Sequence, residues 1–592
     1  MKKRTFSLGI LWFFFKPYKQ KILILSVLSL IVGLLEAASV AIVYPIISAA
    51  LDQGIGQETI VFSLFQRITN LIPISDPYIT YCLLFVLFAS ATFILRLLNI
   101  RYRLTLAGQL VERTQKEIFN KFLQADYQYF VEHKQGALIY NAVTAPKSLQ
   151  VFLYSSAELL SQTVLSISLI ILLFSLSWQG TIAVLLMGLI YYFFTKHIAE
   201  IVVYDSGQHQ VKALTESTVI LSEIIGGIKQ VKVFSTEADW ARRFGNTISR
   251  HWHHFIRRFT WQHSLNPALT LILYVFTGII AMTLRNIGPD SFSLLIPVFG
   301  TFAFAVFRLT PIIGNTTDSA MQIMGSLPNC EKIYRVLGDK LTHIEDGNKE
   351  LDSFKSQIKF DKVTFTYKER TRTLEDVSIT FKKGETTAIV GRSGSGKTSI
   401  INLLLRLFDV NQGEVIIDGV NIKQYKIASW LDKIGYVSQD TFIFNDTIKN
   451  NITFSSNYPD EEVVRVSKTV NAHSFITEMP DKYDTLVGDR AIKLSGGERQ
   501  RIAITRAMIR NPEILIFDEA TNALDKISET YIQEAIEKIS KDHTVIIIAH
   551  RLSTVVNADK IIMLGDGKVL EEGTHEELIR NDGAYSELYR SQ

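Results

Sequence analysis

Apolar residues are concentrated in the first half of the chain, in runs long enough to cross a membrane. A transmembrane helix requires about 20 apolar residues. Six stretches qualify, at 22–45, 78–98, 153–176, 180–197, 266–284 and 292–314. From about Lys355 onward, short apolar runs alternate with amphipathic stretches, which is typical of a soluble α/β domain. The pattern therefore predicts an all-α membrane domain of six helices over residues 1–337, a polar linker over 338–357 and a cytoplasmic α/β domain over 358–592.

The first apolar run is a membrane span and not a signal peptide. Glu36 interrupts it, and the run continues past Tyr44-Pro45 without a small-residue cleavage site. The preceding residues 6–15 are apolar and aromatic, and lysines follow them. This composition predicts a helix lying on the inner leaflet, and the alternative is an N-terminal extension of the first span.

Two long polar stretches, 99–152 and 198–265, separate the spans and exceed the length of ordinary connections. Their helical periodicity predicts that the membrane helices continue into the cytoplasm, with breaks at 127–135 and 226–237. Seven basic residues lie between 101 and 151, whereas 52–76 holds one, Arg67. Since positive charge favours the cytoplasmic side, we expect both termini and both long stretches to be cytoplasmic.

Composition narrows the class of protein further. The 592 residues are 47% hydrophobic and 20% charged, with 62 Lys and Arg against 58 Asp and Glu. The net charge of +4 is too small to indicate nucleic-acid binding. Two cysteines exclude a disulfide scaffold and a tetracysteine zinc site.

A phosphate-binding loop follows the apolar run 387–390. It consists of Gly391, Arg392, Ser393, Gly394, Ser395, Gly396, Lys397 and Thr398, and Ser399 opens an apolar helix. This is a Walker A motif between a strand and a helix. Its glycines permit the tight turn, and its backbone N–H groups face phosphate oxygens. The spacing predicts that Lys397 reaches the β and γ phosphates and that Thr398 binds Mg²⁺.

Two carboxylates follow the second buried strand pattern, at 514–517. The four apolar residues end in Asp518 and Glu519. Carboxylates at the C-terminal end of a parallel strand lie at the ligand edge of an α/β sheet. We expect Asp518 to hold Mg²⁺ or its bound water and Glu519 to polarise the attacking water.

Between these motifs lies Leu494-Ser495-Gly496-Gly497-Glu498-Arg499-Gln500. Together with the Walker A loop, this heptad resembles the signature of the ATP-binding cassette (ABC) transporter family. The resemblance covers nearly the whole chain, in the order of an exporter half-transporter. It implies ATP and Mg²⁺ as ligands and an inner, cytoplasmic membrane as the location. It also implies that the breaks at 127–135 and 226–237 are coupling helices.

Further site residues follow only from this resemblance. Tyr367 would stack on adenine, and Gln439 would be the Q-loop residue that touches Mg²⁺ and the transmembrane domain. Asp525, in Ala523-Leu524-Asp525, would belong to the D-loop, and His550 would be the switch histidine near the γ phosphate. Asn522 in place of the more usual Ser, and Val487-Gly488-Asp489-Arg490-Ala491, depart mildly from the family pattern.

The signature also implies a dimer. Its residues Ser495, Gly496 and Gly497 are expected at a helix N-terminus, where phosphate binds, with Glu498 completing the motif. In the family, the signature of one subunit closes on the Walker A loop of the other. A domain-swapped dimer with two-fold symmetry is therefore expected. Because Glu519 and the signature are intact, we expect a homodimer in preference to a heterodimer.

Two intramembrane charges, Glu36 and Arg308, are candidates for the substrate path. Counted from the span ends at 1.5 Å per residue, their depths differ by roughly 15 Å, so a direct pair is not expected. Arg308, close to Pro311, would attract an anionic headgroup, and the alternative is a packed or snorkelling arginine.

Three functions remain open. The favoured one is ATP-driven export or flipping of an amphipathic substrate from the membrane, such as a lipid-linked oligosaccharide or glycolipid, because the residues around Glu36 and Arg308 are similar to those of bacterial lipid flippases. The second is export of drugs or peptides. The third is a non-transporting ABC ATPase that acts as a channel or regulator.

Overall fold

The structure is a computed structural model that describes residues 8–50, 69, 76–176, 178–284, 289–339, 344–368, 373–454, 456–488, 494–519, 526–549 and 555–591. The chain divides into two compact units. The first consists of Met1–Ala125 and Tyr129–Leu341, and the second of Asp126–Gln128 and Thr342–Gln592.

The first half of the chain is helical. Its helices α1 to α12 are, in order, Leu8–Phe15, Lys19–Ala41, Val43–Ala50, Pro77–Gln124, Tyr127–Glu132, Gln135–Ile139, Lys147–Leu176, Trp178–Ile198, Tyr204–Gly226, Ile228–Val233, Glu237–Leu284 and Pro289–Gly338. A 3₁₀ turn at Lys16–Tyr18 separates α1 from α2, and π-helical turns occupy Tyr140–Thr144 and Ala199–Val203. The short helices α5 and α10 stand at the two predicted breaks.

Helix α4 shows why these helices are long. It begins at Pro77, a residue that fits the first turn of a helix, and Asp76 caps it by accepting a hydrogen bond from the N–H of Tyr78 at 2.9 Å. No further proline follows before its end at Gln124, so the 48 residues of α4 extend well beyond the predicted span. The prediction that helices continue through the two long polar stretches is confirmed for α4 and α11, and α12 also continues past its apolar segment, which was not predicted.

Four helical stretches among the described residues are long and apolar enough to cross a membrane: Trp12–Ala50, Pro77–Gln124, Gln135–Ser175 and Trp178–Gly226. They overlap the first four predicted spans. The fifth and sixth predicted spans lie in α11 and α12, and several of their side chains fall outside the described part of the chain.

The second unit is built on two sheets. The strands β1 to β10 are Gln357–Phe365, Leu374–Lys382, Thr386–Gly391, Gln412–Ile417, Val420–Asn421, Ile434–Val437, Ile514–Asp518, Thr544–Ile548, Lys560–Gly565 and Lys568–Gly573. A six-stranded sheet has the order β10-β9-β3-β8-β7-β6, in which all pairs but β9-β10 are parallel. The other sheet, β2-β1-β4-β5, is antiparallel.

Nine helices that the structure describes surround these sheets. They are α13 to α21, at Lys397–Leu404, Ile427–Leu431, Ile448–Thr453, Asp460–Thr469, His473–Glu478, Gly496–Met508, Lys526–Ser540, His575–Arg580 and Ala584–Arg590. Strands β7 and β8 are buried along their whole length, as expected for parallel strands covered on both faces. Within the stretch predicted as a linker, Leu351 and Phe354 are buried in the core of this unit.

Candidate active site

The candidate site lies at the C-terminal edge of the six-stranded sheet. Strands β3, β8 and β7 are adjacent and parallel. Their register aligns Ile389 and Asp518 with the same residue, Ile548, on the strand between them. The phosphate loop after β3 and the carboxylates after β7 therefore leave the same edge of the sheet, where α/β folds bind ligands.

The phosphate loop has the backbone that its glycines permit. Gly391 and Gly396 have φ values of +152° and +105°. A Cβ on Gly391 would lie 2.3 Å from the backbone oxygen of Leu564, so a larger residue cannot replace it without moving the neighbouring strand. Arg392, Ser393 and Gly394 are exposed at the tip.

Helix α13 begins at Lys397 without a side-chain cap. The first N–H groups of a helix lack partners inside the helix and bind anions well. Thr398 is exposed in the first turn, whereas Ser395 and Ser399 are buried. The side-chain oxygen of Ser395 is buried without a hydrogen-bond partner. The loop is thus shaped as a cradle for phosphate.

Lys397 is only 6% exposed and folds back over the loop. Its Nζ donates to the backbone oxygens of Gly391 at 2.8 Å and Arg392 at 3.1 Å. Burial lowers the pKa of Lys397, while the negative charges of Glu519 and Asp518 act in the opposite direction. The ammonium group is therefore held between the loop and the two carboxylates.

Asp518 and Glu519 have different environments although they are adjacent. Asp518 is 5% exposed, and its burial, followed by the charge of Glu519, raises its pKa to about 6. Tyr436, on β6, lies with its hydroxyl 3.5 Å from Oδ2 of Asp518. Glu519 is partly exposed and has a φ of +50°, a conformation that residues with a Cβ rarely adopt.

Gln439 completes this group of side chains. It follows β6, and its Nε2 donates a hydrogen bond to Oε2 of Glu519 at 2.6 Å. Gln439 is exposed at the edge of the sheet. The structure therefore brings the predicted Q-loop glutamine and the predicted catalytic carboxylate into direct contact.

The donor set at this edge fits Mg²⁺. Thr398 offers a hydroxyl, Gln439 an amide oxygen and Asp518 a carboxylate, and Mg²⁺ prefers such hard oxygen ligands. Burial, and after it repulsion from the carboxylate of Glu519, raises the pKa of Asp518, and Lys397 offsets this only in part. A divalent cation would reverse that repulsion.

The signature residues lie at the start of α18. Ser495 is the N-cap, and its side chain accepts a hydrogen bond from the N–H of Glu498, whose Oε2 accepts one in return from the N–H of Ser495 at 2.6 Å. This capping box fixes the N-terminus of the helix. Ser495 and Gly496 are exposed, and Gly497 is buried. The signature thus presents a helix N-terminus to solvent, as expected for a phosphate-binding segment.

Tyr367 lies beside the phosphate-loop helix. Its hydroxyl is 3.2 Å from Oγ of Ser399 and accepts a hydrogen bond from Asn402 at 3.2 Å. Its ring packs edge-on against Phe365 and Phe408. Two other predicted site residues, Asp525 and His550, lie outside the described residues.

Sequence reasoning missed the polar contacts that hold the loop after β6 in place. Thr441 donates a hydrogen bond to Oε1 of Gln500 on the signature helix at 2.6 Å. Arg506, on the same helix, donates to the backbone oxygens of Phe442 and Asn451. Burial lowers the pKa of Arg506 to about 10. Gln500 belongs to the signature heptad and was visible in the sequence, but tertiary packing decides that Thr441 is its hydrogen-bond partner.

The expectation that Glu36 and Arg308 do not pair is wrong. Oε1 of Glu36 lies 2.9 Å from Nε of Arg308, and Oε2 lies 3.2 Å from a guanidinium nitrogen of Arg96. The ends of the apolar runs do not mark the membrane faces, because α12 continues without a break to Gly338 and α2 starts already at Lys19. Depths counted from those ends were therefore misleading.

This group, which we call the Glu36 cluster (Glu36, Arg96 and Arg308), joins three helices. Glu36 is 2% exposed, whereas the side chains of Arg96 and Arg308 are 42% and 43% exposed. One buried carboxylate thus orients two half-exposed guanidinium groups, and the formal charges sum to +1. Arg96 was missed because it lies at the end of an apolar run.

Comparison with protein families gives two matches. A family profile described as ABC transporter transmembrane region matches residues 22–299, and one described as ABC transporter matches residues 374–522. The second match includes the phosphate loop, the signature, Asp518 and Glu519.

Individual proteins are similar over most of their length. An ATP-dependent lipid A-core flippase of Pasteurella multocida is 30% identical over 604 residues, which cover 98% of this chain and 97% of that protein. The heterocyst differentiation ATP-binding protein HepA of Nostoc sp. is 33% identical over 490 residues, covering 82% and 79%. Among solved structures, a bacterial Atm1-family ABC exporter with ATP bound superposes with a TM-score of 0.78 and 26% identity, covering 97% of this chain and 98% of that one.

Proposed function

The chain belongs to the ABC transporter family, and from that premise we propose that it flips or exports an anionic amphipathic lipid across the cytoplasmic membrane as a homodimer. The predicted order of a helical membrane domain and an α/β ATP-binding domain is confirmed, as is ATP hydrolysis coupled to transport. Three further points are proposed: that the substrate is an anionic lipid, that the chain forms a homodimer, and that both termini are cytoplasmic.

In the proposed cycle, the predicted site residues divide the binding and the hydrolysis of ATP among them. The phosphate loop and Lys397 bind the β and γ phosphates of ATP, because a helix N-terminus and a buried ammonium converge there. Thr398, Asp518 and Gln439 would hold Mg²⁺, which when bound would supply positive charge to the phosphate oxygens. Glu519 accepts a proton from the attacking water, and the hydrogen bond from Gln439 orients its carboxylate.

The signature completes the site from the partner subunit. The exposed N-terminus of α18 is capped and rigid, so it offers N–H groups to a phosphate without rearranging. Binding of ATP between two cassettes would hold them together, and hydrolysis would release them. Asp525 and His550 remain proposed members of this site on the family pattern, and α5 and α10 remain proposed coupling helices.

The observation that carries the lipid proposal is the Glu36 cluster. Charged residues in membrane spans are costly and mark substrate pathways. Here Glu36 fixes Arg96 and Arg308 in place while both guanidinium groups remain half exposed. Guanidinium groups bind phosphate and carboxylate in a planar, two-point geometry. The cluster therefore suits an anionic headgroup, in agreement with the relatives named as lipid A-core flippases.

The test compares stimulation of ATP hydrolysis in nanodiscs by anionic lipid-linked oligosaccharides, anionic glycolipids, drugs and peptides. We expect one anionic lipid class to stimulate the wild type and to lose that effect in Arg308→Gln and Arg96→Gln. Arg101→Gln is the matched control, since Arg101 is exposed on the same helix as Arg96 and lies outside the cluster.

Other outcomes separate the alternatives. Stimulation by drugs or peptides that is indifferent to both cluster arginines would favour the drug or peptide exporter. Hydrolysis without movement of any tested class of compound in proteoliposomes would favour a channel or regulator.

A further inference from the structure

A cavity of about 450 Å³ lies between α1, the middle of α4 and the end of α12. Proteins hold small molecules in cavities of roughly 300 to 1,000 Å³. Trp12 and Lys16 line it from the N-terminal segment, Arg113 from α4, and Tyr334 and Leu337 from α12. All three helices belong to the first unit, and the transport mechanism proposed above makes no use of this cavity.

One part of the lining is cationic. Lys16 is exposed, and the side chain of Arg113 is 49% exposed. Nε of Arg113 donates to Glu117 at 2.7 Å, one of the five N–H bonds of a guanidinium group, so further donors remain for an anion. Leu110, Arg113 and Glu117 recur at helical spacing, which places them on one face of α4.

The rest of the lining is aromatic and apolar. Trp12 is 61% exposed, and the exposed ring of Phe13 packs edge-on against Tyr334 at 5.0 Å. Aromatic rings of this kind concentrate at the level of lipid headgroups. The sequence 8–15 is entirely apolar, and Lys16, Lys19 and Lys21 follow it. This is the composition of a helix that lies in the interface of a membrane.

We propose that this cavity binds one anionic glycerophospholipid of the surrounding leaflet. Lys16 and Arg113 would hold its phosphate, and the first carbons of its chains would lie against Trp12 and Leu337. A free anion would contact only the cationic part of the lining. A neutral lipid would contact only the aromatic and apolar part. The Glu36 cluster lies elsewhere, since Glu36 is 17 residues beyond Lys19 along α2, about 26 Å at the helical rise.

Native mass spectrometry of the purified dimer in detergent, titrated with dioleoyl phosphatidylglycerol, tests the proposal. We expect Lys16→Gln/Arg113→Gln to weaken binding at least tenfold. The matched control Lys19→Gln/Lys116→Gln removes the same charge from exposed positions of the neighbouring segment and of α4, and binding should stay within twofold of wild type. Basal ATP hydrolysis reports whether each variant is folded. If the double variant cannot be purified, the single variant Arg113→Gln takes its place.

Three further arms decide the ligand. Inorganic phosphate at 10 mM that displaces the lipid would show a soluble anion site and overturn the proposal. Equal binding of phosphatidylcholine would show an apolar groove without headgroup selection, which also overturns it. Arg308→Gln should leave this lipid bound. Loss of binding in that variant would place the lipid in the transport path and overturn the proposal of a separate site. If the flippase proposal fails, all these binding results should stay unchanged.

Discussion

The side-chain amide of Gln439 donates a hydrogen bond to the carboxylate of Glu519, with 2.6 Å between Nε2 and Oε2. The two residues follow neighbouring parallel strands, β6 and β7, and are 80 positions apart in the chain. The contact therefore connects Glu519, the residue proposed to activate water, to the loop after β6. In that loop, Thr441 donates a hydrogen bond to the signature helix. Movement of that segment would therefore change the orientation of the carboxylate.

Glu519→Gln should lower the turnover of ATP at least 100-fold, because the amide cannot accept a proton from water. Binding of ATP should persist, since Glu519 is not proposed to hold the phosphates. Steady-state hydrolysis and binding of labelled ATP measure the two effects, and crosslinking of the cassettes should report a trapped closed dimer. Glu534→Gln, an exposed position on α19, is the control. Turnover near that of wild type in Glu519→Gln would refute the assigned role.

Gln439→Ala should reduce turnover about tenfold while leaving Glu519 chemically intact. The loss follows from the missing hydrogen bond, which orients the carboxylate, and from the missing oxygen for Mg²⁺. Titration of Mg²⁺ in the hydrolysis assay separates these causes. A higher Mg²⁺ requirement with normal maximal turnover would assign Gln439 to the metal alone.

Lys397→Ala should weaken the binding of ATP at least tenfold, because its ammonium is buried on the loop and attracted by both carboxylates. Equilibrium binding of a fluorescent ATP analogue is the measurement. Lys541→Ala, exposed in the turn before β8 and therefore at the opposite edge of the sheet, should bind normally. Unchanged affinity in Lys397→Ala would contradict the assignment of the phosphate loop.

Local motifs were predictable from the sequence because their geometry is encoded within a few residues. Gly391 and Gly396 dictate the phosphate loop, and the run ending in Asp518 dictates a buried strand with an acidic end. The long helices were also predictable, since their periodicity continues beyond the apolar segments.

Contacts between distant segments were not predictable in the same way. The pairing of Glu36 with Arg308 depends on the relative register of two helices, and hydropathy does not set that register. Likewise, the position of Tyr436 beside Asp518 follows from the order of strands in the sheet, which a single sequence does not state.

Asp518→Asn should stabilise the Mg²⁺-free protein at neutral pH while abolishing hydrolysis. The pKa of Asp518 is raised to about 6 in the folded state, against about 3.9 in an unfolded chain. The folded state then binds more protons between these values, so wild-type stability falls as the pH rises from about 4 to 6 and stays low above it. Two pKa units correspond to about 3 kcal/mol.

Thermal unfolding of the full chain in EDTA at pH 5 and pH 7.5 measures this effect. The advantage of Asp518→Asn should be larger at pH 7.5. Adding Mg²⁺ and ATP should stabilise the wild type and have much less effect on the variant. Asp432→Asn, an exposed carboxylate, is the control. A variant that is less stable than wild type at pH 7.5 would contradict the cost of burying a charged Asp518 beside Glu519.

Glu36→Gln should destabilise the membrane domain by about 1.5 kcal/mol, because it leaves the half-exposed Arg96 and Arg308 without the carboxylate that both contact. In the double variant Glu36→Gln/Arg308→Gln, the loss should be smaller than the sum of the single losses by about 0.5 to 3 kcal/mol, since the two side chains interact directly. Unfolding by titration with SDS in mixed micelles gives these free energies. Strictly additive losses would show that the ion pair between Glu36 and Arg308 does not stabilise the fold.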